Sequence, residues 1–250
     1  MNSQKTVLIT GASRGIGAAL AELAAADGYD VAVNYAQNRA AADAVVAKVR
    51  ALGRRAISVQ ADVSQEAQVM QMFATIDLEL GPLVSLVNNA GVVDHASKVQ
   101  DMNLARLQRM FAINVIGAFL CAREAIKRMA LSNGGQGGTI VNVSSAAARL
   151  GAPGEYVDYA ASKGAIDTMT VGLGKELATE GIRVNAVRPG LIETQIHASG
   201  GRPDRVAQMR GLIPMQRAGT ALEVAQAILW LMSANSSYVT AAVIDTTGGR

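Results

Sequence analysis

The stretch Val7-Leu8-Ile9-Thr10-Gly11-Ala12-Ser13-Arg14-Gly15-Ile16-Gly17 joins a short apolar run to a helix-forming segment. Glycine permits a tight turn and a close approach of the backbone to a ligand. A helix that begins at such a turn presents unpaired N–H groups and the positive end of its dipole, which favour a phosphate group. The stretch therefore predicts a strand, a nucleotide-binding turn and a helix. A glycine-rich turn that serves packing alone is the alternative, because the spacing Gly-x-x-x-Gly-x-Gly only partly matches the usual Gly-x-Gly-x-x-Gly fingerprint.

Short apolar runs continue to alternate with longer amphipathic segments along the rest of the chain. Strands are predicted near 5–10, 30–35, 55–60, 83–88, 138–144, 182–188 and 241–245. Helices are predicted near 14–27, 38–52, 65–80, 101–131, 156–180 and 221–234. Strand–helix alternation requires crossover connections, which produce a parallel sheet with helices on both faces. The prediction is a doubly wound α/β fold with its ligand site beyond the carboxyl ends of the strands.

The composition is that of a single globular domain covering residues 1–250. Half of the 250 residues are apolar and 17% are charged. The net charge is +3 and no basic run is present, so we expect no nucleic-acid partner. The only cysteine, Cys121, has apolar neighbours and is interpreted as a buried thiol in a reducing compartment. With no long hydrophobic segment near the N-terminus, we expect a cytoplasmic protein without a membrane span.

Tyr159 and Lys163 are one helical turn apart in the helix predicted at 156–180, so their side chains share a face. A nearby cation favours the phenolate and lowers the pKa of a tyrosine, which suits it to general acid–base chemistry. The alternative is a surface tyrosine that packs on a lysine stem. Tyr156 is two turns before Lys163 and is a competing acid by spacing, but Pro153 and Gly154 place it at or before the first turn and favour Tyr159.

Together these motifs resemble those of the short-chain dehydrogenase/reductase family over almost the whole chain. The family has a glycine loop after the first strand, Asn-Asn-Ala-Gly after the fourth, a helix asparagine, a serine after the fifth strand, Tyr-x-x-x-Lys, and Pro-Gly after the sixth. Here they are the loop 10–17, Asn88-Asn89-Ala90-Gly91, Asn114, Ser145, Tyr159 with Lys163, and Pro189-Gly190. The resemblance implies a single-domain Rossmann fold of about seven parallel strands and hydride transfer with a nicotinamide cofactor.

The catalytic set that the resemblance implies is Asn114, Ser145, Tyr159 and Lys163. Tyr159 would be the general acid or base, and Ser145 would hold the substrate oxygen. Lys163 would lower the pKa of Tyr159 and bond the nicotinamide ribose, and Asn114 would anchor a water in the proton path. Ser144 and Ser145 would point to opposite faces of an extended strand, and the resemblance selects Ser145.

The end of the second strand bears on the choice of cofactor. No acid lies within residues 31–42 to bond a ribose 2′-hydroxyl; Tyr35 fills that position, with Asn34 beside it. Arg14 and Arg39 could pair with a 2′-phosphate, although Arg39 could also be an ordinary solvated residue. The sequence therefore favours NADP(H) and leaves NAD(H) possible.

The remaining cofactor contacts are implied by the resemblance. Asp62 and Val63 would contact the adenine, although Asp62 could instead cap a helix near Ser64. Ile192 and Thr194 would hold the nicotinamide carboxamide. The full predicted cofactor set is Gly11, Ser13, Arg14, Gly15, Ile16, Gly17, Asn34, Tyr35, Asp62, Val63, Asn89, Ala90, Gly91, Tyr159, Lys163, Pro189, Gly190, Ile192 and Thr194.

The segment 191–217 is polar and rich in glycine, and is predicted to be a mobile substrate lid. His197 within it and His95 are candidates for substrate contact, with a structural or exposed position as the alternative. Two histidines and one cysteine show no ligand spacing, so no metal site is predicted.

Small residues recur in the helices predicted at 101–131 and 156–180. They are Gly117, Ala118, Gly164, Ala165, Gly172 and Gly174. In the resembled family these helices pair across a two-fold axis and the closing segment 238–250 adds a second interface. We therefore expect a homotetramer, with a dimer as the next possibility and packing inside one chain as the remaining explanation.

The predicted function is NADP(H)-dependent interconversion of a ketone or aldehyde and an alcohol. The residues near Tyr159 and the turn 213–217 resemble glucose-dehydrogenase-like and oxoacyl-carrier-protein-reductase-like sequences. The alternatives are an NAD-dependent sugar or polyol dehydrogenase and, in a different class, a non-catalytic dinucleotide-binding sensor or scaffold.

Overall fold

The computed structural model describes residues 5–250, except for the side chain of residue 197. The described chain forms one parallel sheet in the order β3-β2-β1-β4-β5-β6-β7. The strands are β1 (Lys5–Ile9), β2 (Tyr29–Tyr35), β3 (Ala56–Gln60), β4 (Leu83–Asn88), β5 (Gly138–Val143), β6 (Ile182–Pro189) and β7 (Val243–Thr246). The predicted doubly wound fold of seven parallel strands is confirmed.

The α-helices of residues 5–250 lie between and after these strands. They are α1 (Gly15–Ala26), α2 (Arg39–Ala51), α3 (Glu66–Glu79), α4 (Leu104–Phe111), α5 (Gly117–Met129), α6 (Ala147–Leu150), α7 (Val157–Glu176), α8 (Ile196–Ser199), α9 (Arg205–Met209) and α10 (Ala221–Met232). The predicted substrate contact of the His197 side chain falls outside the described atoms.

Two hydrophobic cores lie on opposite faces of the sheet. One contains Val7 and packs under α1, α2 and α10, and the other contains Leu8 and packs under α3, α5 and α7. Neighbouring residues of a strand point to opposite faces, which is why Val7 and Leu8 enter different cores. All seven residues of β2 are buried, as expected for a strand covered on both sides.

The connections change direction at β1, which lies between β2 and β4. Helices that follow β1 and β2 cover one face, and helices that follow β3 and β4 cover the other. Loops that leave neighbouring strands toward opposite faces open a crevice at the carboxyl ends of those strands. The glycine loop after β1 and the Asn-Asn-Ala-Gly segment after β4 meet at this point.

Several predicted boundaries were wrong. The helix predicted at 101–131 begins at Leu104, because Oδ1 of Asn103 accepts the N–H of Arg106 at 2.9 Å and caps the first turn. A π-helical segment, Ala112–Ile116, separates α4 from α5. The helix predicted at 156–180 ends at Glu176, and the strand predicted at 241–245 spans Val243–Thr246. The short α6, α8 and α9 were missed because four or five residues are too few to show periodicity.

The segment Leu104–Met129 forms one continuous helical rod of 26 residues. Its length and apolar composition alone would allow it to cross a membrane. In the fold, α5 packs against β4 and α3, and 22% of the apolar window of the rod is buried. The opposite side carries exposed apolar side chains, which are Leu104, Leu107, Phe111, Ile116 and Phe119.

Candidate active site

The glycine loop is held by side chains from two neighbouring strands. Gly11 has a φ of 62°, and its N–H donates to Oδ1 of Asn34 at 3.0 Å. Nδ2 of Asn89 donates to the carbonyls of Thr10 at 2.8 Å and Gly11 at 3.1 Å. A Cβ on Gly17 would lie 2.7 Å from Nδ2 of Asn89, so the close approach requires glycine. The Asn-Asn-Ala-Gly motif thus braces the loop after β1.

The N-terminus of α1 fits a dinucleotide. The helix begins at Gly15, whose φ is 57°, and no side chain caps it. Its first turn contains no acid. Ser13 and Ile16 are partly exposed beside it. Because free N–H groups and the helix dipole favour a pyrophosphate, the residues present suit the cofactor that the motif predicts.

Asn34 takes a different role from the predicted cofactor contact. Its side chain is buried, with 1% exposure of the residue. Besides accepting from Gly11, it donates to the carbonyls of Ala61 at 3.0 Å and Val59 at 3.3 Å. Its hydrogen-bonding groups are therefore used inside the protein, where they hold the glycine loop against β3. Tyr35 is also buried, in the core beneath α1 and α2.

Both arginines predicted to receive a 2′-phosphate lie on the surface. Arg14 is exposed, and its Nη2 is 3.5 Å from the hydroxyl of Ser199 in α8. The side chain of Arg39 is 78% exposed and pairs with Asp43 at 3.5 Å. Arg14 extends from the loop that leads into α1, whereas Arg39 already has an anionic partner one helical turn away.

Asp62 forms a local turn after β3. Its Oδ1 accepts the N–H of Ser64 at 2.9 Å and the hydroxyl at 2.7 Å. Asp62 does not cap the next helix, because α3 begins at Glu66 after Gln65 and has no side-chain cap. A contact of Asp62 with adenine stays a prediction. The neighbouring Val63 is buried against Gly117, where an added Cβ would lie 2.6 Å from Cγ2 of Val63.

Ser145 and Tyr159 meet at the carboxyl end of β5. The Ser145 hydroxyl lies close enough to the phenol of Tyr159 to lower its pKa, and Oγ of Ser145 accepts the N–H of Ala147 at 3.1 Å. Ser144 is buried and donates to the carbonyl of Lys163 at 3.2 Å. Of the two serines, only Ser145 is placed beside the tyrosine hydroxyl.

The competing tyrosine, Tyr156, lies outside the helix. It is the residue before α7, with a φ of −144°, so helical spacing does not relate it to Lys163. Its ring is buried, and the guanidinium carbon of Arg205 lies 5.1 Å from the ring centre. Tyr156 therefore packs against α9, in a cation–π contact.

The electrostatics of Tyr159 differ from the prediction. Burial raises the pKa of Tyr159, and the neighbouring Ser145 hydroxyl opposes that rise. Lys163 is 4% exposed; its Nζ donates to the carbonyl of Val143 at 2.7 Å and is 5.8 Å from the centre of the Tyr159 ring. The predicted lowering of the tyrosine pKa by Lys163 is not found in this arrangement, because the ammonium is directed at a carbonyl.

Burial also changes the pKa of Lys163. It lowers the pKa of Lys163 to about 8, and the negative charge of Asp167 opposes that change. Asp167 is one helical turn further along α7 and pairs with Arg188 of β6 at 2.9 Å. The pKa of Lys163 therefore lies close to neutral pH, where a group can both donate and accept a proton.

Asn114 lies in the π-helical segment. Its Oδ1 accepts the N–H of Val92 at 2.8 Å, and its Nδ2 donates to the Val92 carbonyl at 3.0 Å and to the Ser162 hydroxyl at 3.1 Å. An added Cβ on Gly91 would lie 3.4 Å from Nζ of Lys163 and 3.5 Å from Oδ1 of Asn114. Asn114 therefore joins the loop after β4 to α7 near Lys163. A water held there stays a prediction. π-helical turns are frequent at functional sites.

The residues after β6 lie beside the glycine loop. Pro189 ends β6, and a Cβ on Gly190 would lie 2.8 Å from Cα of Thr247. Ile192 pairs with Gly219 in an isolated bridge. A Cβ on Gly15 would lie 3.5 Å from Cγ2 of Thr194, so this segment reaches the N-terminus of α1.

The segment 191–217 contacts the loop that precedes α7. Glu155 pairs with Arg202 and, at 2.7 Å, with Arg205. The ring of His95 lies directly against Gly201, where an added Cβ would clash with it. The segment also borders a cavity of about 550 Å³ lined by residues that include Thr194, Val206, Arg210 and Arg217. The sequence did not indicate that Glu155 pairs with Arg202 and Arg205, because these residues are far apart along the chain.

The parallel sheet, the glycine loop at the switch point and the Ser145–Tyr159–Lys163 group define the class of this protein. The chain belongs to the short-chain dehydrogenase/reductase family and is an oxidoreductase. Residues 11–250 match the family model described as Enoyl-(Acyl carrier protein) reductase. The resemblance inferred from the motifs is confirmed.

Similar proteins cover nearly the full length of this chain. It is 58% identical over 243 residues to "Uncharacterized oxidoreductase YgfF" of Escherichia coli, covering 97% of this chain and 98% of that protein. It is 36% identical to "Glucose 1-dehydrogenase 2" of Bacillus subtilis, covering 98% and 94%. A short-chain dehydrogenase structure from Burkholderia cenocepacia in complex with NADP superposes with a TM-score of 0.90 at 33% identity, covering 98% and 97%.

Proposed function

We propose that this protein is an NADP(H)-dependent oxidoreductase that interconverts a ketone or aldehyde and an alcohol. The observation that carries the proposal is the placement of Tyr159 beside the Ser145 hydroxyl and buried Lys163, at the carboxyl ends of the strands, where the glycine loop also lies. A bound nicotinamide would supply or accept the hydride. The dinucleotide would be held by the glycine loop, the N-terminus of α1 and the segment 190–194.

Proton transfer is carried out by residues of the chain, chiefly Tyr159 with Ser145 and Lys163. In reduction, the O–H bond of Tyr159 breaks and its proton goes to the substrate oxygen; in oxidation, the phenolate takes the proton of the alcohol. A raised pKa keeps the phenol of Tyr159 protonated at neutral pH, which suits the reductive direction. Ser145 donates to the substrate oxygen as negative charge develops there. Lys163, with a pKa of about 8, can return a proton to the site.

A comparison of Tyr159→Phe with Tyr156→Phe tests the mechanism. Both variants are assayed with ketones, sugars and acyl thioesters, and NADPH binding is measured by fluorescence. We expect Tyr159→Phe to bind NADPH normally and to lose at least about 100-fold in kcat, because phenylalanine has no proton to give. Tyr156→Phe should retain turnover. Near-normal turnover of Tyr159→Phe would refute the mechanism, and NADPH binding without turnover by the wild type across the panel would favour a sensor or scaffold.

The preference for NADP(H) rests on the end of β2 and on Arg14. No acid is present in residues 31–42, and Arg14 is exposed at the start of α1. The Burkholderia structure in complex with NADP is a supporting comparison. We expect Arg14→Ala to weaken NADPH about tenfold while NADH changes little, because a charge-assisted bond to the phosphate is lost. Arg39→Ala is the matched control, since Arg39 already pairs with Asp43.

An NAD-dependent sugar or polyol dehydrogenase is the second candidate. The relative named "Glucose 1-dehydrogenase 2" is the observation in its favour. Tighter binding of NADH than NADPH, together with oxidation of a sugar or polyol, would establish this function in place of the first.

We also propose a homotetramer, with a dimer as the alternative. No atoms that could contact an added Cβ lie within 4 Å of Gly164 or Gly172 in α7, so their faces are open. Gly117 and Gly174, in contrast, pack inside the chain, against Val63 and Ala241. The exposed apolar side chains of α4 and α5 lie on the other of the two helices predicted to pair.

We also propose that the segment 191–217 is a lid over the substrate. The segment 191–217 would close over the substrate, because its α9 packs on Tyr156 and its Gly201 on His95, beside the start of α7. We propose a cytoplasmic location, because the only cysteine of the sequence, Cys121, is buried and has no second cysteine with which to form a disulfide in the chain.

A further inference from the structure

A buried ion pair joins α4 to the first turn of α7. Nε of Arg106 is 2.8 Å from Oδ2 of Asp158, and Nη2 of Arg106 is 3.2 Å from Oδ1. The side chain of Asp158 is 0% exposed and that of Arg106 is 12% exposed. Two parallel hydrogen bonds fix orientation as well as distance, so this pair is a rigid connection between the helices.

Asp158 also holds the backbone of Tyr159. Oδ1 of Asp158 accepts the N–H of Tyr159 at 2.9 Å. Tyr156, the residue before α7, provides no side-chain cap, so the carboxylate of Asp158 satisfies one of the N–H groups of the first turn. A single carboxylate is therefore bonded both to Arg106 and to the residue that carries the acidic phenol.

Arg106 makes a third contact that reaches the loop after β4. Its Nη1 donates to the carbonyl of His95 at 2.7 Å. The same loop contains Val92, whose backbone is bonded to Asn114, and His95 lies against Gly201 of the lid. One guanidinium thus connects α4, the loop after β4 and the first turn of α7.

We propose that Arg106 and Asp158 are positioning residues that hold the first turn of α7, and with it Tyr159, in its place in the active site. The inference rests on the proposed function. A hydroxyl at the end of a tyrosine side chain moves when the first turn of its helix rotates, and a misplacement of about 1 Å can lower turnover about 100-fold. The Arg106 fork opposes that rotation directly, because its partner is adjacent to Tyr159.

The chain offers a matched control pair one helical turn further along α4. Arg109 pairs with Asp94 at 3.3 Å, and these side chains are 54% and 28% exposed. This pair joins the same helix to the same loop, and the hydrogen bond of Arg109 goes to Asp94 and not to α7. The test compares Arg106→Lys and Asp158→Asn with Arg109→Lys and Arg109→Gln, which leave Asp94 in place because its charge also acts on Arg106.

We expect the two Arg106–Asp158 variants to lose about 10- to 100-fold in kcat while their NADPH dissociation constants stay within about twofold, because the glycine loop is untouched. The control variants should keep the wild-type kcat. Arg106→Lys retains a cation beside the buried carboxylate, so it provides the test if Asp158→Asn does not fold. A kcat of Arg106→Lys within about twofold of Arg109→Lys overturns the inference.

A second readout does not depend on turnover. Tyrosine labelled with ¹³C at Cζ reports the pKa of Tyr159 by NMR titration. Moving the phenol away from the Ser145 hydroxyl removes a neighbour that lowers this pKa, so we expect the pKa of Tyr159 to rise in Arg106→Lys and to stay unchanged in Arg109→Lys. An unchanged pKa in Arg106→Lys also overturns the inference. A wild type without turnover would instead refute the proposed function, and this titration would still decide the positioning role.

Discussion

Asn34→Ala should destabilise the protein and weaken cofactor binding in the same variant. The substitution removes the acceptor of the Gly11 N–H and the donor to the Ala61 carbonyl, both at 3.0 Å, and a weaker bond to Val59. Each buried partner that loses its bond costs about 1–3 kcal/mol, which gives about 3 kcal/mol for Gly11 and Ala61 together after some relaxation. For a domain of this size the expected fall in Tm is about 6–12 °C.

The assay is urea denaturation of the wild type and of two alanine variants, followed by NADPH titration. The matched control is Asn38→Ala, since Asn38 is exposed and its Oδ1 caps α2 by accepting the Ala41 N–H at 3.0 Å. Loss of this cap should cost about 1 kcal/mol and leave NADPH binding unchanged. Asn34→Ala should also weaken NADPH binding, because Gly11 is no longer tied to β2.

Two results would refute this reasoning. A loss of stability no larger than that of Asn38→Ala would show that Asn34 does not brace the glycine loop. A changed preference between NADPH and NADH with full stability would show that Asn34 contacts the cofactor directly, as the sequence predicted.

Three further predictions concern the lysine, the glycine loop and the surface. Burial lowers the pKa of Lys163 from 10.5 to about 8, so the unfolded chain binds more protons between these values and the wild type should gain stability as pH rises through this range. Urea denaturation of Lys163→Met should lack that gain of about 3 kcal/mol; parallel pH curves for both proteins would contradict it. Gly17→Ala places a Cβ 2.7 Å from an amide nitrogen and should cost about 1–3 kcal/mol by thermal unfolding, whereas Gly211→Ala, with open space around it, should be nearly neutral. Phe119→Asp should shift sedimentation toward smaller species while Leu78→Asp, 87% exposed on α3, does not; equal sedimentation of the two would exclude the α5 interface.

The fold could be predicted because its signals are local. The apolar run of β1, the glycine loop and the start of α1 occupy one short stretch, and the alternation continues through the chain. The hydrogen bond that holds Gly11 to Asn34 could not be predicted, since it joins residues 23 positions apart. Asn34 was interpreted as a cofactor contact because the sequence places it at the end of β2 without showing that its amide points into the protein.

The lid was predicted as a segment but its contacts were not. Glycines and polar residues in 191–217 indicate irregular structure, and they contain no information about partners elsewhere in the chain. Glu155 pairs with Arg202, which is 47 residues away. The π-helical turn at Asn114 was also missed, because a helix with one widened turn has nearly the same apolar periodicity as an uninterrupted one.

The order of the elements, the family and the residues at the carboxyl ends of the strands could all be predicted, because periodicity, glycine spacing and short motifs are properties of neighbouring residues. How those residues act on one another depends on the packing of the folded chain. Burial raises the pKa of Tyr159 and lowers that of Lys163, and the Lys163 ammonium bonds the Val143 carbonyl. The Arg106–Asp158 fork likewise exists only where α4 meets α7. Desolvation and long-range contacts depend on which atoms surround a group, and that depends on the packing of the whole chain.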